Sequence, residues 1–354
     1  MKIAFFETTG EDQKYIRERL ADQGLSLLFF ETPFHPDLLV DASDIGVLSV
    51  FIGSKVSLES IEKFPQLKLI TTRSTGFDHL AVGELNGRGI RLGYVPGYGD
   101  NTVAEFAMGL VLAVVRKIPF AFHRIRVEGV FSAKECAGFD LMGKTMGVVG
   151  TGRIGKHMVR ISRGIGMNVI AYDAHPDEAF SKEISLPYVS LPELLAQSDV
   201  ISLHVPYMPE THHLINEEAF AAMKPGAVLI NTARGGIIDT HALLRALQGG
   251  KLGGFGADVL EGEEHVTDEG SFLLYGQRTK ENVQTLAENL VFVDLPNVVV
   301  TPHIAFYTRE ALERILNADI KNILSFLETN SLVYDIMASK RLADASSQGG
   351  DIKH

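Results

Sequence analysis

The stretch that decides the fold runs from Thr145 to Asp173, TMGVVGTGRIGKHMVRISRGIGMNVIAYD. Thr145–Gly150 is a short apolar run, and Gly150, Gly152 and Gly155 follow at the spacing G-x-G-x-x-G. An amphipathic segment then carries Ile154, Met158, Val159 and Ile161, with Gly164 and Gly166 marking its end. Asn168–Tyr172 reads as a second buried strand, closed by Asp173. The order is strand, glycine turn, helix, strand, acid. Gly150 permits a tight turn, Gly152 lets a pyrophosphate approach the backbone, and Gly155 lets helix and strand pack closely. The helix start offers unpaired N–H groups and a partial positive charge to phosphates. Asp173 is placed to accept from the adenosine ribose hydroxyls, and its charge repels a 2′-phosphate. A rival pattern, Gly138–Thr145 (GFDLMGKT), fits a P-loop in letters only. It follows a polar segment and leads into a strand, the reverse of what a P-loop needs.

The surrounding chain supports a doubly wound α/β protein. Lys2–Phe6, Leu25–Phe30, Gly46–Phe51, Leu67–Thr72 and Ile90–Val95 read as strands, with helices expected at 11–23 and 57–64. Alternation of this kind gives a parallel sheet covered on both faces. A long helix is expected over Asp100–Arg126, opened by a Thr102/Glu105 capping box, and its apolar content marks it as hinge and dimer interface. Beyond Asp173, Pro187–Val189 reads as a weak strand, and Ser190, Pro192 and Glu193 start a capped helix. Strands follow at Asp199–Leu203, Ala227–Asn231, Phe255–Asp258 and Val298–Thr301, with helix starts at Asn216 and Thr240. An acidic loop interrupts at 261–290, and Arg309–Phe326 carries a helical pattern. That last helix has no place in a sheet that closes at Thr301, so the chain should return to its first unit. The expected division is 1–100 plus 304–340 as one discontinuous domain, 101–303 as the inserted dinucleotide domain, and 341–354 as a flexible tail.

Bulk properties narrow the partners. The 354 residues are 45% hydrophobic, enough for two cores. A net charge of −11 argues against nucleic acid and anionic membranes. The single cysteine, Cys136, permits no internal disulfide, and MKIAFFETTGED is too short in apolar residues for a signal peptide. A cytoplasmic setting is expected. No metal-ligand set is read, and His212 and His213 look solvent-facing.

Candidates for chemistry sit at strand ends, where open α/β sheets place their ligand crevice. Arg234 follows Ala227–Asn231, and its planar fork suits a carboxylate beside a carbonyl. Glu263 lies in DVLEGEE, and His303 in TPHIAFYT after the last strand. A histidine paired with a carboxylate can donate a proton near neutrality. His204 is read as shaping a loop.

Ordered motifs then give a resemblance along nearly the whole chain. They are Arg73–Asp78 (RSTGFD), Val95-Pro96 with Val103–Glu105, Gly150–Gly155, Asp199–Pro206 (DVISLHVP), Asn231–Asp239 (NTARGGIID), Asp258–Glu263 and Thr301–Ala305 (TPHIA). Together they resemble the D-isomer-specific 2-hydroxyacid dehydrogenase family, nearest its D-lactate dehydrogenases. The resemblance implies a Rossmann NAD-binding domain inserted into a flavodoxin-like substrate domain. It implies NAD as cofactor, a small 2-keto or 2-hydroxy acid as substrate, and a homodimer. It assigns Arg234 to the substrate carboxylate and keto group, Glu263 to pairing with the histidine, and His303 to acid/base work. Thr75 and Gly76 become the carboxylate cradle, with Tyr98 and Phe306 walling the pocket. Val103, Gly150, Gly152, Arg153, Ile154, Gly155, Asp173, Val205, Pro206, Thr211, Thr232, Ala233, Arg234, Asp258 and His303 become the cofactor set. One departure is Phe51–Ser54, where several lactate enzymes carry a tyrosine. Formate and phosphite dehydrogenases share the scaffold, but formate enzymes usually pair the histidine with glutamine. NAD-sensing corepressors of the same superfamily remain an alternative, since they retain the Arg-Glu-His set.

Overall fold

The computed structural model describes residues 1–39, 42–263 and 280–339. The acidic stretch 264–279 and the expected tail 341–354 lie outside the described residues. The chain forms two compact units, Met1–Tyr98 with the segment from Thr308 onward, and Gly99–Tyr307. The second junction falls after Tyr307 rather than at 303, because the buried Asp258 carboxylate accepts from the Ile304 and Ala305 amides and keeps that corner with the second unit.

The first unit holds five parallel strands, β1 (Lys2–Phe5), β2 (Ser26–Phe29), β3 (Ile45–Val50), β4 (Leu69–Thr72) and β5 (Arg91–Gly93). Their order, β2-β1-β3-β4-β5, is the flavodoxin arrangement. Every residue of β3 and β4 is buried, as expected of strands covered on both faces. One face packs Phe6, Phe34, Phe64, Leu48 and Ile70. The other packs Ile3, Phe5 and Val47 against Ile320, Ile323 and Phe326 of the helix Arg309–Thr329. Each such side chain contributes roughly 1.5–3 kcal/mol on burial. The same helix brings Asp319 into the core, where it accepts from Ser49 Oγ at 2.8 Å and Thr71 Oγ1 at 2.8 Å. Arg73, equally buried, donates to the carbonyls of Phe6 and Glu7. Burial pushes the Asp319 pKa up and the Arg73 pKa down, and each charge opposes the other's shift.

Three expectations of the sequence reading are corrected here. The helix at 57–64 is only a 3-10 turn, Glu59–Ile61. Ser57 and Ser60 exchange side-chain-to-backbone bonds at 2.9–3.2 Å, which compete with helical pairing. The long helix is two, Asp100–Val115 and Ile118–Arg126, divided at Lys117, whose φ is 51°. Pro119 explains the break, since it lacks an N–H and its ring would clash with the Val115 carbonyl. The first helix is capped by Gly99 with no side-chain bond, and Glu105 accepts from Asn101 rather than serving a Thr102 box.

The second unit holds β6 (Thr145–Val149), β7 (Asn168–Tyr172), β8 (Val200–Leu203), β9 (Ala227–Asn231), β10 (Leu252–Ala257) and β11 (Val298–Val300). All pair in parallel, in the order β11-β10-β9-β8-β6-β7. The expected strand Pro187–Val189 is reduced to a single bridge, Tyr188 beside Ala171, at the free edge of β7. It stands where a Rossmann sheet carries its third strand. The capping box of Ser190 and Glu193 forms as read. The order of connections reverses between β6 and β8, and the glycine turn lies at that switch point.

Candidate active site

The three glycines of the turn have different physical needs. Gly150 has φ 92°, and a Cβ there would lie 2.7 Å from the His204 carbonyl oxygen. A Cβ on Gly155 would lie 1.9 Å from the Gly150 carbonyl oxygen, so helix and strand could not approach. Gly152 has no protein atom within 4 Å of a Cβ position. Packing does not require it, so the space is available to a ligand. Gly152 also caps the helix Arg153–Gly164 without a side-chain bond, which leaves the first-turn N–H groups to an anion.

Asp173 ends β7 and reaches back to the turn. Its Oδ2 accepts from the Thr151 amide at 2.6 Å and from Thr151 Oγ1 at 2.9 Å, and its Oδ1 from the His175 amide. Tyr188 closes this cluster with its hydroxyl 2.7 Å from Thr151 Oγ1. Sequence reading passed over Thr151 and Tyr188; the position of Tyr188 on the third-strand edge was the available signal. Arg153 lies 3.4 Å from Asp100, an exposed ion pair of little weight. Val103 lies in the helix Asp100–Val115, and Ile154 in the first turn after the glycines.

The remaining cofactor candidates line the C-terminal ends of β8 and β9. Val205 stands beside Gly150, and Thr211 Oγ1 donates to the Pro206 carbonyl at 2.7 Å. After β9, Asn231 accepts from the Ala233 amide and donates to the Arg234 carbonyl, which fixes the turn around Thr232. Among the described residues, Thr232 Oγ1 is shielded from solvent with no hydrogen-bond partner. A buried hydroxyl left so can accept or donate to a polar group of a bound ligand. The open face at Gly152 and the Thr232 hydroxyl both fit a dinucleotide.

The candidate reacting groups lie at the ends of β9, β10 and β11. His303 follows β11 in a left-handed conformation, φ 54°, and its amide donates to the Asp258 carbonyl. Asp258 is fully buried, and its oxygens accept from Thr301 Oγ1 at 2.5 Å and from the Ile304 and Ala305 amides at 2.9 and 2.7 Å. Its carboxylate is thereby taken up inside the corner that presents His303. Burial raises the Asp258 pKa, opposed by those bonds. His303 Nδ1 lies 2.9 Å from Glu263 Oε1. Burial alone would raise Glu263. The bond and charge of His303, the Leu260 amide and the charge of Arg234 outweigh it, so Glu263 is held below its ordinary range. Arg234 Nη1 donates to the Ala233 carbonyl at 2.8 Å. The Phe306 and His303 rings form a T-shaped pair with 6.4 Å between centroids. His204, read as structural, is half-buried with Nε2 2.9 Å from Ser202 Oγ, and desolvation of its ring lowers its pKa to about 4.

Thr75, Gly76 and Tyr98 belong to the first unit. Thr75 Oγ1 donates to the Val95 carbonyl at 2.8 Å and Ser74 Oγ to the Gly76 carbonyl at 2.6 Å, which shapes a turn after β4. Glu7, which sequence reading did not single out, has φ 55°, and its carboxylate gathers the Phe51 and Gly53 amides and the Ser54 hydroxyl. The atypical Phe51–Ser54 loop is thus fastened to β1. His213, expected to face solvent, is half-buried and bonded to Glu261 at 2.7 Å.

This fold, with the glycine turn at its switch point, is that of an NAD-dependent oxidoreductase of hydroxy acids. Residues 108–305 match the family model "D-isomer specific 2-hydroxyacid dehydrogenase, NAD binding domain", and the chain belongs to that family. It is 36% identical to the D-lactate dehydrogenase of Escherichia coli over 91% of this chain and 96% of that protein. It is 33% identical to the glyoxylate reductase of Thermococcus litoralis over 88% and 92%. Among solved structures, the D-lactate dehydrogenase of Aquifex aeolicus complexed with NAD and lactic acid superposes with a TM-score of 0.80 at 38% identity, over 92% of this chain and 95% of that one. The protein acts on CH–OH groups with NAD.

Proposed function

We propose that the protein reduces pyruvate to D-lactate with NADH. The observation that carries the chemistry is the His303–Glu263 pair at 2.9 Å, beside the charge of Arg234. The substrate assignment rests on the TPHIAFYT ending and on the aromatic Phe306 against His303. It is consistent with the lactate enzymes among the relatives, while the glyoxylate reductase marks the rival substrate.

NADH, when bound, supplies the hydride. The Arg234 fork holds the keto acid's carboxylate and carbonyl oxygen. His303 gives its Nε2 proton to the carbonyl oxygen as the carbon is reduced, and in the reverse direction takes it back. Glu263 fixes the ring through Nδ1. Asp173 receives the adenosine ribose. His303→Gln should lose turnover by about 10²–10⁴-fold while NADH still binds, as followed by quenching or transfer of nicotinamide fluorescence. Turnover near wild type in that variant defeats the assignment. Steady-state rates with pyruvate, glyoxylate, hydroxypyruvate and phenylpyruvate, with the product's chirality checked, test the substrate.

The helix Ile118–Arg126 supports a homodimer. Ile118, Phe122 and Ile125 are more than half exposed on one face, and Phe131 beyond it is 92% exposed. The second copy is the occupant inferred for this apolar face. The lone Cys136 supports a cytoplasmic setting. Among the described residues no helix is long and apolar enough to cross a membrane.

A further inference from the structure

We infer that His212, His213 and Glu261 form a binding site for a divalent transition-metal ion of the zinc class. One ligand atom from each side chain lies within 4.8 Å of the others. Adjacent side chains on an extended chain point to opposite sides. Here His213 takes a left-handed conformation, φ 50°, and the two imidazoles stack at 3.8 Å between centroids with planes 25° apart. The turn sets two nitrogen donors beside one carboxylate. His213 Nε2 already lies 2.7 Å from Glu261 Oε1, the place where an ion would replace the shared proton.

The surroundings hold these groups in position. The His213 amide donates to the Gly236 carbonyl at 2.9 Å. Thr240 Oγ1 donates to Glu261 Oε2 at 2.7 Å, and Asn289 Nδ2 to the Glu261 carbonyl at 2.9 Å. Tyr207 hydroxyl lies 3.2 Å from His212 Nδ1, which leaves Nε2 of that ring for the ion. Ligating imidazoles and carboxylates are commonly oriented by such outer bonds. Zinc–nitrogen and zinc–oxygen bonds of about 2.0–2.2 Å separate tetrahedral ligands by roughly 3.3–3.5 Å. To reach that spacing the exposed His212 moves inward and the 2.7 Å His213–Glu261 contact opens as the ion enters. Two imidazoles and one carboxylate favour zinc, cobalt, nickel or copper over magnesium or calcium, and water completes the shell. The chain's net charge of −11 adds to the attraction. None of the three residues is among those assigned to hydride transfer, although Glu261 stands two residues before Glu263 in sequence.

Tag-free protein, stripped with chelator and dialysed, would be titrated with Co²⁺. One equivalent should give visible ligand-field absorption of a four- or five-coordinate ion, displaced by Zn²⁺. Glu261→Gln and His213→Asn should each weaken the apparent affinity at least tenfold. Asparagine tolerates the left-handed backbone at 213, and circular dichroism confirms that both variants are folded. Absence of the absorption in the wild type, or unchanged affinity in both folded variants, overturns the proposal. The readout is spectroscopic, so it stands apart from the success or failure of pyruvate as substrate.

Discussion

At the scale of the residue, Asp173 shows how one carboxylate serves structure and selectivity together. It holds Thr151 in the glycine turn by two bonds while closing β7. Asp173→Ala should narrow the preference for NADH over NADPH by about tenfold in kcat/KM, a loss of about 1.4 kcal/mol of discrimination. It should also raise the KM for NADH, because the turn loses its brace. An unchanged ratio of efficiencies would exclude the ribose role. His204 makes a separate prediction about acid. Its folded pKa of about 4 lies below the unfolded value of 6.5, so the unfolded chain binds the extra proton first. Stability from this group is therefore full above pH 6.5 and falls as pH drops toward 4, by about 3 kcal/mol. Glu263 works in the same direction at lower pH: its depressed folded pKa adds stability above the unfolded value, lost as pH falls through the folded one. Urea midpoints at pH 7 and pH 5 for wild type and His204→Asn would measure the first effect, and the variant should show the shallower slope.

At the scale of the element, the legible features were those whose physics is local. Glycine spacing, the Ser190–Glu193 capping box and alternating apolar strands each act over a few residues, and each forms as read. Pro119 was also local, yet the apolar run across it outweighed its meaning until the break at Lys117 appeared. The rest depended on partners with no sequence period linking them. Glu7 meets Gly53 across 46 residues, His213 meets Glu261 across 48, and Asp319 meets Ser49 across 270. The Arg–Glu–His set was legible only through its ordered motifs; each residue alone was an ordinary strand-end side chain. The helix Arg309–Thr329 rests on such a distant contact. Asp319→Ala would remove the buried acceptor of Ser49 and Thr71 and the charge that offsets Arg73. A loss of about 3–5 kcal/mol is expected, read as a lower denaturant midpoint. A loss below about 1 kcal/mol would show that Arg73 is compensated by the Phe6 and Glu7 carbonyls alone.

At the scale of the whole molecule, association should depend on the helix after the proline break. Phe122→Glu places a charge on the apolar face of Ile118–Arg126. Light scattering at micromolar protein should show a dimeric mass for the wild type and a monomeric mass for the variant. A monomeric wild type would defeat the dimer. The discontinuity of the first unit also carries a consequence for biosynthesis. Its sheet is made first, but the helix that covers one face, and the Asp319 that balances Arg73, emerge only after Gly99–Tyr307 has been translated. At about 5–20 residues per second that interval lasts on the order of 10–40 s. During it, Ile3, Phe5, Val47 and Leu69 lack the Ile320, Ile323 and Phe326 side chains that finally cover them. The inserted unit can complete its own core while the nascent N-terminal strands wait, so the ribosome-bound chain presents its stickiest surface at the end synthesised first.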